Sequence, residues 1–135
     1  MENAHLYTEV YIAEDTESRN LECKARGYRR DVFVKYKEKF YKMTVFSLIS
    51  LNQNLKNSYE LQKFYFIESN LLVVKKVVKS DIINAVLNQA RLNYFDYLRE
   101  CEVIDGEIMY PLDELTKKTT IFPISISIKN LIRIY

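Results

Sequence analysis

Histidine occurs once in this chain, cysteine, glycine and proline twice each, and tryptophan not at all. Each shortage excludes something. Acid–base chemistry near neutral pH is usually carried by imidazole, and the lone His5 sits beside the amino terminus with no partner motif. Cys23 and Cys101 are too far apart in sequence to form the close pairs of a zinc site or the framework of a disulfide-rich domain, so neither a metal nor a cofactor is expected. Gly27 and Gly106 stand singly, outside any glycine-rich phosphate loop. No apolar run approaches the ~20 residues that cross a bilayer, and the chain does not open like a secretory signal. A cytoplasmic protein with reduced thiols and no membrane contact is therefore expected.

What is present is a core. Eighteen aromatic residues and a hydrophobic fraction of 48% are ample for one globular domain over residues 1–135. Charge is the uneven quantity. The net is +2, yet residues 1–18 carry −5, 19–42 carry +6, 43–80 carry +3, 81–116 carry −6 and 117–135 carry +4. Such blocks are either solvated faces or surfaces for a partner of opposite sign.

Hydrophobic patterning gives the elements. Leu6–Ile12 alternates as a strand, and the polar residues 13–30, with Gly27, read as a loop. Asp31–Tyr36 and Phe40–Phe46 form a β-hairpin across the charged connection Lys37-Glu38-Lys39. Ser47 caps a helix whose Leu48, Leu51, Leu55 and Tyr59 recur at 3–4–4 spacing. Phe64–Ile67 has strand character, Glu68–Asn70 a turn, and Leu71–Val74 reads as a central strand. Ser80 caps a second helix, with Asp81 beside its positive end and Ile82, Ile83, Val86, Leu87 and Ala90 in one stripe. Asn93 either ends that helix, leaving a short one over Tyr94–Leu98, or lets it run to Cys101; the break is preferred. Asp105-Gly106 is a turn, Pro111–Leu115 a short helix, and Ile124–Ile128 alternates as a strand starting at Pro123. The Ile-rich carboxyl-terminal strand could pair edge to edge with a copy, so monomer and homodimer are both open. The fold class is α+β: one mostly antiparallel sheet of five to six strands with two to three helices on one face.

Two charged segments carry any functional reading. In residues 24–42, Lys24, Arg26, Arg29, Arg30, Lys35, Lys37, Lys39 and Lys42 interleave with Tyr28, Phe33, Tyr36, Phe40 and Tyr41. Cations and flat rings together make a nucleic-acid surface, or else the two faces of a hairpin. The other segment holds Asp96, Glu100, Glu102, Asp105 and Glu107 behind Tyr94 and Tyr97, a composition suited to a basic protein partner. Carboxylate pairs such as Glu100/Glu102 and Asp113/Glu114 lack the contrasting environments that separate an acid from a base, so no catalytic residue is assigned and no enzyme is expected.

The order of elements from Gly27 to Leu98 resembles the immunity proteins of bacterial polymorphic and contact-dependent toxin systems. Three stretches carry the resemblance: Arg26–Val34 leading into Tyr41–Phe46; the helix with Leu51, Asn52, Gln53 and Leu55; and Phe64–Val74 followed by Ser80–Ile83 and Tyr94-Phe95. It covers about half the chain. The chain departs from it in lacking a Gly or Asp turn after Tyr36 and an acidic net charge. The resemblance implies a cytosolic protein that binds a cognate toxin domain and blocks it by occlusion, with no catalysis of its own. The contact surface is then expected over Asp96–Glu107, with Tyr94 or Tyr97 as anchor; nucleic-acid binding through residues 24–42 is the alternative.

Overall fold

The computed structural model describes residues 7–63, 65, 68–110 and 124–134. Its centre is a hairpin of β2 (Tyr28–Tyr36) and β3 (Lys39–Ser47), the two longest strands described. β1 (Glu9–Ile12) adds antiparallel to β2, and β8 (Ile132–Arg133) antiparallel to β1. β4 (Leu71–Val74) adds parallel to β3, completing a five-stranded sheet of order β4-β3-β2-β1-β8. A second sheet is the antiparallel meander β5 (Glu102–Ile104), β6 (Glu107–Tyr110) and β7 (Ile124–Ser127).

Strand alternation splits the interior in two. Val10, Ile12, Val32, Val34, Tyr36, Tyr41, Met43 and Val45 face one side. There they meet Cys23 of α1 (Glu17–Arg26), Ile82, Val86 and Ala90 of α3 (Lys79–Arg91), and Phe95. On the other side Phe33 and Phe40 pack with Cys101, Ile108 and Leu131, which brings the small sheet against the large one. The α+β class holds, and two helices pack on one face: α3, which was expected, and α1, which was not. The carboxyl-terminal strands, though, build their own sheet. Asp105 and Gly106 both have positive φ (52° and 79°), as a two-residue type I′ turn requires, so β5 closes locally on β6. One bridge, Cys101 to Phe40, ties this sheet to β3.

Several expectations change. Residues 13–30 are not a loop: α1 runs through them, opened by Thr16, whose Oγ1 accepts from the Arg19 N–H at 3.2 Å. Glu22 sits between Arg19 and Arg26 in i,i+3 and i,i+4 pairs. Only Cys23 of α1 is buried, so there is no apolar stripe for a periodicity reading to find. Leu71–Val74 is an edge strand rather than a central one. α3 starts at Lys79 behind Val78, with no side-chain cap, rather than at a Ser80 cap, although Asp81 lies in its first turn and accepts from the Lys76 N–H. The positions Phe64, Phe66 and Ile67 of one expected strand, the helix Pro111–Leu115 and the strand start at Pro123 lie outside the described residues.

Other expectations hold. Ser47 caps α2 (Leu48–Glu60), accepting from the Ser50 N–H. Asn93, at φ 61°, ends α3 and starts a 3₁₀ turn over Tyr94–Tyr97. The β2–β3 connection is tighter than expected, because Lys39 already belongs to β3 and only Lys37 and Glu38 make the turn. Both have positive φ, 49° and 65°, where a side chain is strained. K37N/E38G places the residues a type I′ turn prefers and should stabilise the protein by about 1 kcal/mol, raising Tm by roughly 3–5 °C. An unchanged or lowered Tm in thermal unfolding would count against this reading of the turn.

Candidate interaction surface

The acidic segment is built outward from buried anchors. Phe95 is fully buried, stacked 5.2 Å from the Tyr36 ring and lying 5.2 Å from that of Tyr41. The Tyr36 hydroxyl donates to Asn93 Oδ1 at 3.0 Å, fixing the residue that turns the chain. In a 3₁₀ turn positions i and i+3 eclipse, so with Phe95 inward Tyr94 and Tyr97 share a side. They are 52% and 86% exposed.

Beyond the turn, Asn70 acts as a clamp. Its Nδ2 donates to the carbonyls of Lys42 (3.1 Å) and Arg99 (2.7 Å), and its Oδ1 accepts from the Arg99 N–H at 3.0 Å. The Cys101 N–H then bonds the Phe40 carbonyl at 2.7 Å. In the small sheet, Val103 opposes buried Ile108, so the other face carries Glu102 opposite Met109 and Ile104 opposite Glu107. That outer face alternates acid and aliphatic.

All seven residues expected at a contact surface, Tyr94, Asp96, Tyr97, Glu100, Glu102, Asp105 and Glu107, are exposed. Ile104, 50% exposed, joins them on that outer face, and Val103, 45% exposed, lies at the rim of the Ile108 side. These two were not expected; a three-residue strand beside a turn is too short for alternation to show which face is open. Burial raises the Tyr41 hydroxyl above its ordinary value, and the Glu100 and Asp96 charges add to the effect. Glu100 approaches Lys39 at 3.8 Å with both side chains more than half exposed. Such a pair is worth at most a few tenths of a kcal/mol and leaves the carboxylate open to a partner.

The basic segment is largely consumed by the fold. Phe33, Tyr36, Phe40 and Tyr41 are buried, so they offer no stacking platform. Tyr28 stacks on Phe46 at 5.3 Å, with the Arg26 and Arg30 guanidinium carbons 4.3 and 4.9 Å from its ring centre. Arg30 pairs with Glu68 at 2.6 Å and Lys35 with Glu38 at 3.6 Å. Arg29 is buried against Asp31. The alternation of cations and rings is thus mainly that of a hairpin with one side inward.

The thiols face opposite cores and are unpaired with each other. Burial pushes the Cys101 thiol above its ordinary value, against the Lys42 N–H and charge, which disfavours the nucleophilic thiolate. His5 lies outside the described residues. Among the described residues there is no group of three or more His, Cys, Asp or Glu arranged to hold a metal ion, and no helix long and apolar enough to cross a membrane. A cleft of about 500 Å³ opens beside α1 and the start of α3. Its charged walls include an internal network: Lys79 meets Asp15 at 3.1 Å, Asn20 donates to Asp15 at 2.8 Å, and Arg29 donates to Asn20 at 3.0 Å.

No family model matches the chain, and neither a curated protein nor a solved structure matches it.

Proposed function

We propose that the protein is a non-catalytic binding protein that captures a basic protein domain on the surface spanning Tyr94 to Glu107. One observation carries this reading: a run of five exposed acids is interleaved with two exposed tyrosines and the exposed Ile104, all on backbone held by Phe95, Asn70 and Ile108. Tyrosine is enriched among the residues that dominate interface energetics, and a backbone already clamped loses little entropy on binding. The acids would speed and orient encounter with a cationic surface.

The resemblance to immunity proteins supplies the class of partner, a cognate toxin domain in the cytoplasm, and the mechanism, occlusion. A standard interface of roughly 1,600 Å² is enough to cover a small enzyme's substrate-binding face without any chemistry by the inhibitor.

The test is growth rescue. A toxin-like domain sought in the open reading frame adjacent to this gene is co-expressed with wild type or with a variant carrying Glu100→Lys, Glu102→Lys and Asp105→Lys. Wild type should restore growth. The charge-swapped protein, folded by circular dichroism, should bind the toxin domain at least tenfold more weakly by calorimetry, since unlike charges become like ones. Unchanged affinity would remove this surface, and failure of wild type to bind would remove the toxin reading.

A further inference from the structure

The cleft of about 500 Å³ beside α1 and the start of α3 falls in the size range of small-molecule sites. One side of it is a single face of α1, since Glu17, Asn20, Leu21 and Lys24 stand at i, i+3, i+4 and i+7. Val78 and Lys79 line it from α3, and Arg29, 1% exposed, from β2. Donors outnumber acceptors there. Arg29 has five N–H groups, of which two go to Asp31, one to Asn20 Oδ1 and one to the Glu14 carbonyl. One Nη1 N–H therefore meets no acceptor among the described residues. Neither does the second Nδ2 N–H of Asn20, whose first goes to Asp15. α3 has no side-chain cap at Val78, which leaves the N–H groups of its first turn as further donors. Lys24 is exposed and makes no ion pair among the described residues. The acceptors, by contrast, are mostly occupied. Lys79 meets both Asp15 oxygens, at 3.1 and 3.3 Å, and one of them also takes the Asn20 donor. Glu17, in the first turn of α1, keeps an open carboxylate.

We propose that this cleft binds a small organic carboxylate. Its oxyanion meets Lys24 and the unused N–H groups, and its apolar body lies against Leu21, which is 61% exposed. The surplus of donors selects an oxyanion. Charge selects a singly negative one. Asp31 already neutralises Arg29, and Asp15 neutralises Lys79, so Lys24 is the cation left over. Glu17 opposes a second negative charge. A carboxylate offers about four acceptor sites for one charge, which matches a cleft richer in donors than in net charge. The 13 residues of α3, roughly 20 Å of helix, separate this cleft from the acidic surface that follows its far end. Either proposal can therefore fail alone.

Calorimetric titration of the full chain with phenylacetate tests it. Binding should saturate with a dissociation constant of about 1 mM or tighter. 2-Phenylethanol, the same body without the charge, should bind roughly tenfold more weakly or worse, because charge-assisted hydrogen bonds are lost. Lys24→Glu should weaken phenylacetate binding roughly tenfold with unchanged circular dichroism, since like charges then meet. Leu21→Ala, also at an exposed position, should weaken it about threefold and serves if Lys24→Glu does not fold. Lys56→Glu, an equal change of charge on α2, and the acidic-surface triple variant should both bind phenylacetate like wild type. No saturation by about 20 mM phenylacetate overturns the proposal. So does 2-phenylethanol that binds as tightly, or a Lys24→Glu variant, or Leu21→Ala in its stead, that binds like wild type. Equal losses in Lys24→Glu and Lys56→Glu would reduce the effect to bulk charge and overturn the site. Phenyl phosphate that binds more tightly than phenylacetate would overturn the choice of a carboxylate.

Discussion

Asp31→Ala should cost the protein about 3–5 kcal/mol, because it leaves a buried guanidinium without its counter-ion. Arg29 is 1% exposed and donates to both Asp31 oxygens, from Nε at 2.7 Å and from Nη2 at 3.0 Å. It also reaches Asn20 Oδ1 at 3.0 Å and the Glu14 carbonyl at 3.4 Å, joining α1 and the β1–α1 connection to β2. Removing the carboxylate keeps the desolvation cost of the cation and discards its largest compensation. The expected fall in Tm is about 10–15 °C for a chain of this size. Arg29→Met in the same background should recover part of the loss, since an apolar side chain has no charge to leave unpaired. A Tm within about 3 °C of wild type for Asp31→Ala would show the pair to be energetically idle.

The same network makes the protein acid-labile. Burial works to raise the Asp31 carboxyl, but the hydrogen bond and charge of Arg29, with the Glu14 N–H, outweigh it and hold the group below its ordinary 3.8. Asp15 is lowered chiefly by the Asn20 hydrogen bond, which prevails over burial, and further by Lys79. For a depressed carboxyl the unfolded chain binds the proton first, so the stabilisation is complete above about pH 4–5 and is lost as pH falls through the folded value. The Tm gap between wild type and Asp31→Ala should therefore be widest near neutrality and narrow below about pH 4.

How far this was legible in the sequence differs by element, and for physical reasons. The β2–β3 hairpin, the Ser47 cap, the α3 stripe and the break at Asn93 announce themselves because local sequence and tertiary burial agree there. α1 does not, because its stability comes from Thr16, Gly27 and charge pairs rather than from a buried face; the helix-capping residues were the signal available. Leu71–Val74 is apolar enough for a central strand yet lies at the edge, since composition reports burial of side chains and not the pairing of both backbone edges. For the acidic surface, exposure of all seven expected residues follows from the inward commitments of Phe95, Cys101 and Ile108. The aliphatic member of that surface, Ile104, needed the β5–β6 register, which sets it beside Glu107 and turns Val103 to the Ile108 side. α2 conflicts with its own pattern, its stripe predicting a buried face that Ser50 occupies instead.

That conflict traces to Gly27, and Gly27→Ala should be the second most damaging substitution, at about 3 kcal/mol or roughly 10 °C in Tm. Gly27 closes α1 at φ 81°, its N–H bonding the Cys23 carbonyl at 2.9 Å and its carbonyl accepting from the Ser47 N–H at 2.8 Å. An added Cβ would lie 2.7 Å from Ser47 Oγ and 2.9 Å from Ser50 Cβ, the residues that begin α2. Two costs combine: a left-handed backbone that alanine resists, and an overlap that only movement of α2 relieves. Gly106→Ala separates them, since it shares the positive φ (79°) but would meet nothing within 4 Å. It should cost about 1 kcal/mol, the backbone strain alone. If the two variants lose equal stability, contact between Gly27 and α2 contributes nothing. If Gly27→Ala loses far more, the close approach at Ser47 and Ser50 is what fixes the rotation of α2 and turns Leu48 and Ile49 outward. Ser50→Gly in the Gly27→Ala background should then restore part of the loss, because it removes the Cβ with which the new methyl collides.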